Sequence, residues 1–302
     1  MPDGVAVIDK PAGWTSHDVV AKARSVLATR KVGHSGTLDP DATGVLVLGV
    51  GRATRLLRYV TGLPKSYEAE IVLGIETDTL DSAGQVTARH DMAGVSAERI
   101  RAAVAALTGE ILQVPPMVSA VKVGGRRLHT LARAGVEVER EARPVTVHRF
   151  EVAPVPGTDA VLSAVVDCSS GTYVRVIAAD LGRALGGGAH LRSLRRTAVG
   201  GFGLDAARPV ESAEVLPMAH AVQHLAGVRV PPAVAAEVAH GRVLELVRLG
   251  VAAPPEPGAP SGPWAVHDSD GELLAVYERF RGGAKPAVVV AGPPTPLPEG
   301  RR

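Results

Sequence analysis

The sequence is poor in the residues that most often declare a protein's chemistry. Cys168 is the only cysteine among 302 residues, so no intramolecular disulfide can form and no cysteine cluster exists to hold zinc. Aromatic residues make up 3% of the chain, which leaves core filling to Val, Leu, Ile and Ala. The four tyrosines, Tyr59, Tyr67, Tyr173 and Tyr277, therefore draw more notice than usual. No uninterrupted apolar run approaches the ~18 residues of a membrane span. The N-terminus, MPDGVAVIDKPAGWTS, has no basic flank leading into a long apolar stretch. The ten histidines form no H-E-x-x-H pair and show no ligand spacing. The expectation is a cytoplasmic protein with no membrane contact, no metal and no cofactor.

Net charge is also small, +2, but it is unevenly placed. From Lys10 to Arg58 there are eight basic residues against three acidic ones. From Glu68 to Glu110 the balance reverses, three against eight, and from Lys122 to Arg149 it returns to seven against three. Arg183, Arg192, Arg195 and Arg196 follow with no acidic residue between them. Ordinary solvated surface fits this distribution, and so do basic segments gathered on a phosphate backbone.

Residue patterns predict short elements of both kinds. Gly4–Asp9 reads as a strand ending at Pro11 and Gly13. Thr15 or Ser16 caps a helix to about Leu27. HSGTLDPDATG is a loop and VLVLGVG a buried strand. Ala53–Tyr59 reads as a short helix. Ser66–Gly74 and Gln85–Arg89 are strands around the polar loop ETDTLDSAG. Ser96 opens an amphipathic helix stopped by Gly109. Ser119–Val123 reads as a strand and Leu128–Ala134 as a helix. Val145–Pro154 and Ala160–Cys168 form a hairpin, and Tyr173–Leu185 is a helix. Ala213–Leu225 reads as helical, and Pro231 opens a helix to His240. RVLELVRLG, GPWAVHDSDG and ELLAVYERF read as strands. With no βαβ rhythm, the class is α+β. The expected domains are 1–225, with an insertion near 122–149, then a β-rich unit at 226–292 and a tail at 293–302.

One segment carries an identification. GHSGTLDPDATGVLVLGVGRATR, Gly33 to Arg55, resembles the signature of the TruB pseudouridine synthases. Four more motifs are in register: DKPAGWTS, KSYEAEIVLGIETDTLDSAG, PPMVSAVKVGGRRLHTLARAG and CSSGTYVRVIAADLGRALGGGAHLRSLRRTAVGGF. The resemblance spans residues 4–205, and a weaker one makes the C-terminal part similar to a PUA-like RNA-binding domain. It implies a pseudouridine synthase fold acting on uridine 55 in the T loop of tRNA. Asp39 is then the catalytic carboxylate, Tyr67 the active-site tyrosine, Arg175 the active-site arginine, and His34 the residue that meets the displaced bases. The family's insertion, here Lys122–Arg149, would grip the stem-loop. Val118 and Leu128–His129–Thr130 depart from the commoner pattern, so aromatic contacts there are not carried over.

Without the family, Asp39–Pro40 is a loop carboxylate followed by a rigid residue, and capping a turn is its ordinary use. The implied reaction exchanges a C–N for a C–C bond at C1′, with no redox change. An ionised carboxylate suits attack at C1′, charge stabilisation there or removal of a sugar proton. The residues do not choose among these routes. Arg175 would orient Asp39 through its guanidinium fork. Tyr67 would stack on the base and assist proton removal from C5. Lys10, Lys122, Arg126, Arg127, Arg192, Arg195 and Arg196 are candidate phosphate contacts. A non-catalytic tRNA binder, a guide-RNA-dependent relative, a metal hydrolase and a glycosidase are weaker fits. The expected partner is the tRNA T stem-loop, met by a monomer.

Overall fold

The computed structural model describes residues 3–92, 94–117, 122–123, 126–127, 138–158, 160–251 and 261–292. Period-two alternation builds its main sheet. KSYEAEIVL places Lys65, Tyr67, Ala69, Ile71 and Leu73 on a buried face, and Ser66, Glu68, Glu70 and Val72 on the other.

In chain order the strands are β1 Gly4–Lys10, β2 Val32–Ser35, β3 Thr43–Val50, β4 Lys65–Leu73, β5 Ile75–Thr77, β6 Val86–Arg89 and β7 Gly109–Gln113. Then come β8 Lys122–Val123, β9 Arg126–Arg127, β10 Arg143–Pro154, β11 Val161–Cys168, β12 Ala189–Val199, β13 Phe202–Gly203 and β14 Leu216–Pro217. The last five are β15 Ala226–Arg229, β16 Leu244–Glu245, β17 Trp264–His267, β18 Leu273–Phe280 and β19 Gly283–Val289. The helices are α1 Ser16–Val26, α2 Leu57–Thr61, α3 Ala97–Ala106, α4 Val174–Ala184 and α5 Pro232–Ala239.

The main sheet runs β14-β1-β3-β12-β4-β11-β10-β7, with β2 added to β3 and β13 to β12. Its pairings are antiparallel except β3 with β12. β12 holds Thr43 and Gly44 at the start of one edge of β3, and β2 holds Val47 to Val50 further along it. The loop 36–42 is thus suspended between strands on both sides. A second, five-stranded sheet, β15-β17-β18-β19-β16, forms the C-terminal β-rich part. The class is α+β.

Helix α1 is closed by a reciprocal capping box between Thr15 and Asp18. It buries Val19, Val20 and Ala23 against Ile8, Leu46 and Leu48. Helix α4 buries Ile177 and Leu181 with Tyr67, Ile71, Val166 and Cys168, and each large apolar side chain so buried contributes ~1.5–3 kcal/mol. A third cluster joins Val5 and Val47 to Val276 and Val288 of the second sheet. Arg52 ties both parts together, pairing with Asp3 and donating to the Val290 carbonyl.

The structure departs from the sequence expectations in several places. AHLRSLRRTAV forms β12, the strand that pairs with Thr43 and Gly44 beside the loop 36–42. The expected loop HSGTLDPDATG begins inside a strand: His34 and Ser35 belong to β2, Val32–Ser35. The helix α3 already ends at Ala106, capped by Leu107, and Gly109 opens β7. Ala213–Leu225 is no helix: Pro217 has no N–H to continue one, and the segment folds as β14 and a 3₁₀ turn, Met218–Val222. RVLELVRLG yields only the two-residue β16 and a 3₁₀ turn stopped by left-handed Gly250. The expected elements Ser119–Val123 and Leu128–Ala134 fall mostly outside the described residues. Strand β10 begins at Arg143, within the span 122–149 expected for an insertion.

Gly44 is where the parallel junction requires glycine. Its φ is +99°, and a Cβ there would lie 2.2 Å from the Arg196 carbonyl oxygen. Gly13 also has positive φ, but nothing lies within 4 Å of its Cβ position. Gly44→Ala is expected to destabilise by more than ~3 kcal/mol, against ~1–2 kcal/mol for Gly13→Ala. Urea unfolding of both variants checks the difference; equal losses would remove the close approach as the cause.

Candidate active site

The loop 36–42 is held by its carbonyls. The Lys10 ammonium donates to the oxygens of Pro11, Trp14 and Pro40 at 2.8, 2.6 and 2.8 Å. Gly13 N–H donates to the same Pro40 oxygen at 3.0 Å. Ser16 Oγ accepts from Leu38 N–H at 2.9 Å and donates to the Leu38 carbonyl at 3.3 Å. Arg196 Nη2 donates to the Gly36 carbonyl at 3.1 Å, and its Nε to Val45 at 2.7 Å. The DKPAGWTS motif is therefore a clamp on residues 36–40. This withdraws Lys10, wholly buried, and Arg196, 1% exposed, from the expected phosphate contacts: their donors point inward at backbone oxygens.

Asp39 projects from the clamped loop with its side chain 42% exposed. Arg175, on the first turn of α4, grips it with two parallel bonds, Nε to Oδ2 at 3.0 Å and Nη2 to Oδ1 at 3.2 Å. Nη1 of the same fork reaches Asp81 Oδ2 at 3.0 Å and the Thr79 carbonyl at 3.1 Å. Burial raises the Asp39 pKa, Arg175 opposes that rise, and the Asp81 charge adds to it; the net direction is upward from 3.8. Asp81 joins this group through Arg175, and no local signal singles it out: it lies in a stretch read only as polar loop.

Tyr67 lines the same cleft as Asp39 and Arg175, a cavity of about 430 Å³ that also touches Lys65, Thr172, Leu194 and Arg196. Tyr67 and Arg196 are register partners across β4 and β12, and the tyrosine hydroxyl bonds to the guanidinium. Burial nevertheless moves the Tyr67 pKa above 10.0, so the phenol is neutral at pH 7. Lys65, 7% exposed, donates to the Thr61 and Leu63 carbonyls at 2.8 and 2.6 Å.

The other expected contacts are scattered. His34 sits in β2, edge-on to His17 with ring centroids 5.3 Å apart, and its buried Nδ1 has no partner among the described residues. Burial, His17 and Arg196 lower its pKa from 6.5, which keeps the ring neutral. Arg195 turns to the opposite side from Arg196, pairing with both Asp9 oxygens at 3.1 and 2.8 Å. Arg192 lies at a β-bulge, 3.3 Å from Glu70, and is half exposed. Lys122, Arg126 and Arg127 form the small β8–β9 pair. Their side chains lie outside the described features. Among the described residues no His, Cys, Asp and Glu group is arranged to hold a metal ion, and no helix is long and apolar enough to cross a membrane.

Comparison with known proteins places this geometry in a family. Residues 24–174 match the profile of TruB family pseudouridylate synthase (N terminal domain), and residues 175–228 match the tRNA pseudouridylate synthase B C-terminal domain. The chain is 48% identical over 300 residues to a tRNA pseudouridine synthase B of Arthrobacter sp. (strain FB24), covering 96% of this chain and 97% of that one. It is 47% identical to the protein of that name from Thermobifida fusca (strain YX), covering 97% and 100%. Among solved structures, the archaeal box H/ACA sRNP Nop10–Cbf5 complex superposes with TM-score 0.69 at 24% identity over 96% of this chain and 87% of that one. A Cbf5–Nop10–Gar1 complex does so with TM-score 0.66 at 28% identity, over 92% and 78%. The chain belongs to the TruB family of pseudouridylate synthases and is an isomerase that forms pseudouridine in tRNA.

Proposed function

We propose that the substrate is the T-loop uridine of tRNA, position 55, and that Asp39 acts at its ribose C1′. The observation that carries this reading is the two-pronged Arg175–Asp39 pair at the mouth of the Tyr67 cleft. The target uridine is stacked inside a folded stem-loop, so it must be flipped out at a cost of a few kcal/mol. A cleft of about 430 Å³ accepts one extruded nucleoside. His34, neutral and at the loop's edge, is suited to stacking where the base has left. The base lies on Tyr67, and its ribose faces Asp39.

Within this reading the C1′–N1 bond breaks with its electron pair leaving on uracil. The base turns, C5 bonds to C1′, the C5 proton departs and N1 gains one. The sum is an isomerisation that needs no cofactor. Arg175 fixes both carboxylate oxygens, so Asp39 meets C1′ in one orientation. Tyr67, a neutral phenol, can pass the C5 proton on but is no strong base. Residues 1–225 would be the catalytic part and 226–292 a PUA-like RNA-binding part. The proposed tail 293–302 lies outside the described residues. The partner would be the T stem-loop, met by a monomer in the cytoplasm. Arg192 and Arg195 remain phosphate-contact candidates, with Lys122, Arg126 and Arg127.

Asp39→Asn should bind unmodified tRNA transcript but lose at least ~10³-fold in pseudouridine formation, read by site-specific mapping; retained turnover would sink the assignment. Its fold should not weaken. The raised native pKa means that the charged carboxyl is less favoured folded than unfolded, so Asp39 stabilises most at low pH and that share is lost as pH rises through the raised value.

Activity needs the ionised form, so the acid limb of the single-turnover rate should lie above pH 3.8. Arg175→Met should move that limb higher, and Arg175→Lys should hold it. A limb indifferent to the charge at 175 would show that Asp39 is not the group titrating. Tyr67→Phe should keep tRNA affinity and slow product formation by ~10²-fold; an unchanged single-turnover rate would remove its proton-transfer role.

A further inference from the structure

Two buried cations lie in the catalytic cleft beyond the groups assigned above. Lys65 and Arg196 are 7% and 1% exposed, and both line the cleft with Tyr67. They are close enough to each other that each Gly36 Cβ contact would be shared, at 3.6 Å from Lys65 Cε and 3.6 Å from Arg196 Nη1. Neither forms an ion pair with a carboxylate among the described residues. Burying one unpaired charge is unfavourable, and burying two of like sign side by side is more so.

Their backbone bonds do not use them up. An ammonium has three N–H groups, and Lys65 gives one each to the Thr61 and Leu63 carbonyls. The third has no acceptor among the described residues. The titratable neighbours do not neutralise the pair. Cys168, from β11, has its thiol pushed up to about 11, and Tyr67 is also pushed upward. Lys65 itself is lowered to about 8 by burial and by Arg196, which leaves it charged at neutral pH. At the far side of the cleft the Asp39–Arg175–Asp81 group carries net negative charge. The cleft is therefore polarised, negative where the sugar sits and positive at its floor.

We propose that Lys65 and Arg196 form an anion-receiving floor for the uracil ring, with the free Lys65 N–H directed at a base carbonyl oxygen. This rests on the uridine-isomerising function proposed above. When the C1′–N1 bond breaks, its electron pair stays with the base and spreads over N1 and the carbonyl oxygens. The ring is then a uracil anion until C5 bonds to C1′. This holds whether Asp39 attacks C1′, stabilises charge there or removes a sugar proton. A preorganised cation in a dry site stabilises such charge as an oxyanion hole does. It also keeps the detached base from drifting out of the cleft before it has turned.

The test compares wild type, Lys65→Met and Lys65→Arg in single turnover, on tRNA carrying uridine or 5-fluorouridine at the target position. Glycosidic-bond rearrangement is read by mass spectrometry of the digested RNA, with tRNA affinity and thermal melting measured alongside. Lys65→Met should slow rearrangement of the uridine substrate by ~10²-fold, and Lys65→Arg should recover most of the rate. Fluorine withdraws electrons and stabilises the uracil anion by itself, so the Lys65→Met defect should be severalfold smaller on 5-fluorouridine. A role confined to holding α2 in place would slow both substrates equally, and that result would overturn the proposal, as would an undiminished Lys65→Met rate. The comparison is made on whichever uridine the wild type converts, so a different target position would correct the substrate reading without touching this one.

Discussion

Everything at the centre of this enzyme turns on one buried guanidinium. Arg175 is 4% exposed, and a buried arginine must find acceptors for a rigid, planar set of N–H groups. It finds Asp39 on the loop between β2 and β3, and Asp81 and the Thr79 carbonyl on the turn after β5. Helix α4 supplies the arginine and buries its flank under the sheet. Three segments remote in sequence are thereby locked to one point. The carboxylate that results is oriented on both oxygens, yet still open on the side that faces the cleft.

A second constraint is the backbone of the loop itself. An irregular segment at a sheet edge leaves carbonyls without strand partners, and buried carbonyls need donors. Here the donors are Lys10, Ser16 and Arg196 side chains and the Gly13 amide. Basic residues thus serve two uses in this chain. Some, such as Arg192, stay at the surface, half exposed. Others are consumed as internal caps for peptide oxygens. A small net charge conceals this division, and so does any count of basic residues along the sequence.

What could be read in advance follows from the same physics. The alternation of KSYEAEIVL and the Thr15 cap before SHDVVAKARSV are local signals, and both elements form where expected. The motif around Asp39 was legible through its resemblance to a family signature; its residues alone read as a loop carboxylate capping a turn. β12 was not legible. Two bulges, near Leu191–Ser193 and Arg196–Ala198, break its period-two pattern, and Arg192, Arg195 and Arg196 make it look like solvated surface. Its burial comes from neighbours far away in the chain. Asp81 was likewise silent, since its link to Asp39 runs through Arg175, 94 residues away in the chain. The helix expected at Ala213–Leu225 failed for a local reason that was visible, the proline at 217.

The partners of the Asp39 loop also set a timetable for its making. Arg175 lies 136 residues after Asp39, and Arg196 lies 160 after Gly36. Ribosomes add ~5–20 residues per second, so the aspartate leaves the exit tunnel roughly 7–27 s before the arginine that orients it. During that interval β3 has β1 and β2 beside it, but no β12. The half-made chain therefore carries the signature loop without the fork, the parallel junction or the cationic floor. The groups that orient Asp39 thus arrive late in synthesis, Arg196 with the strand least recognisable from sequence.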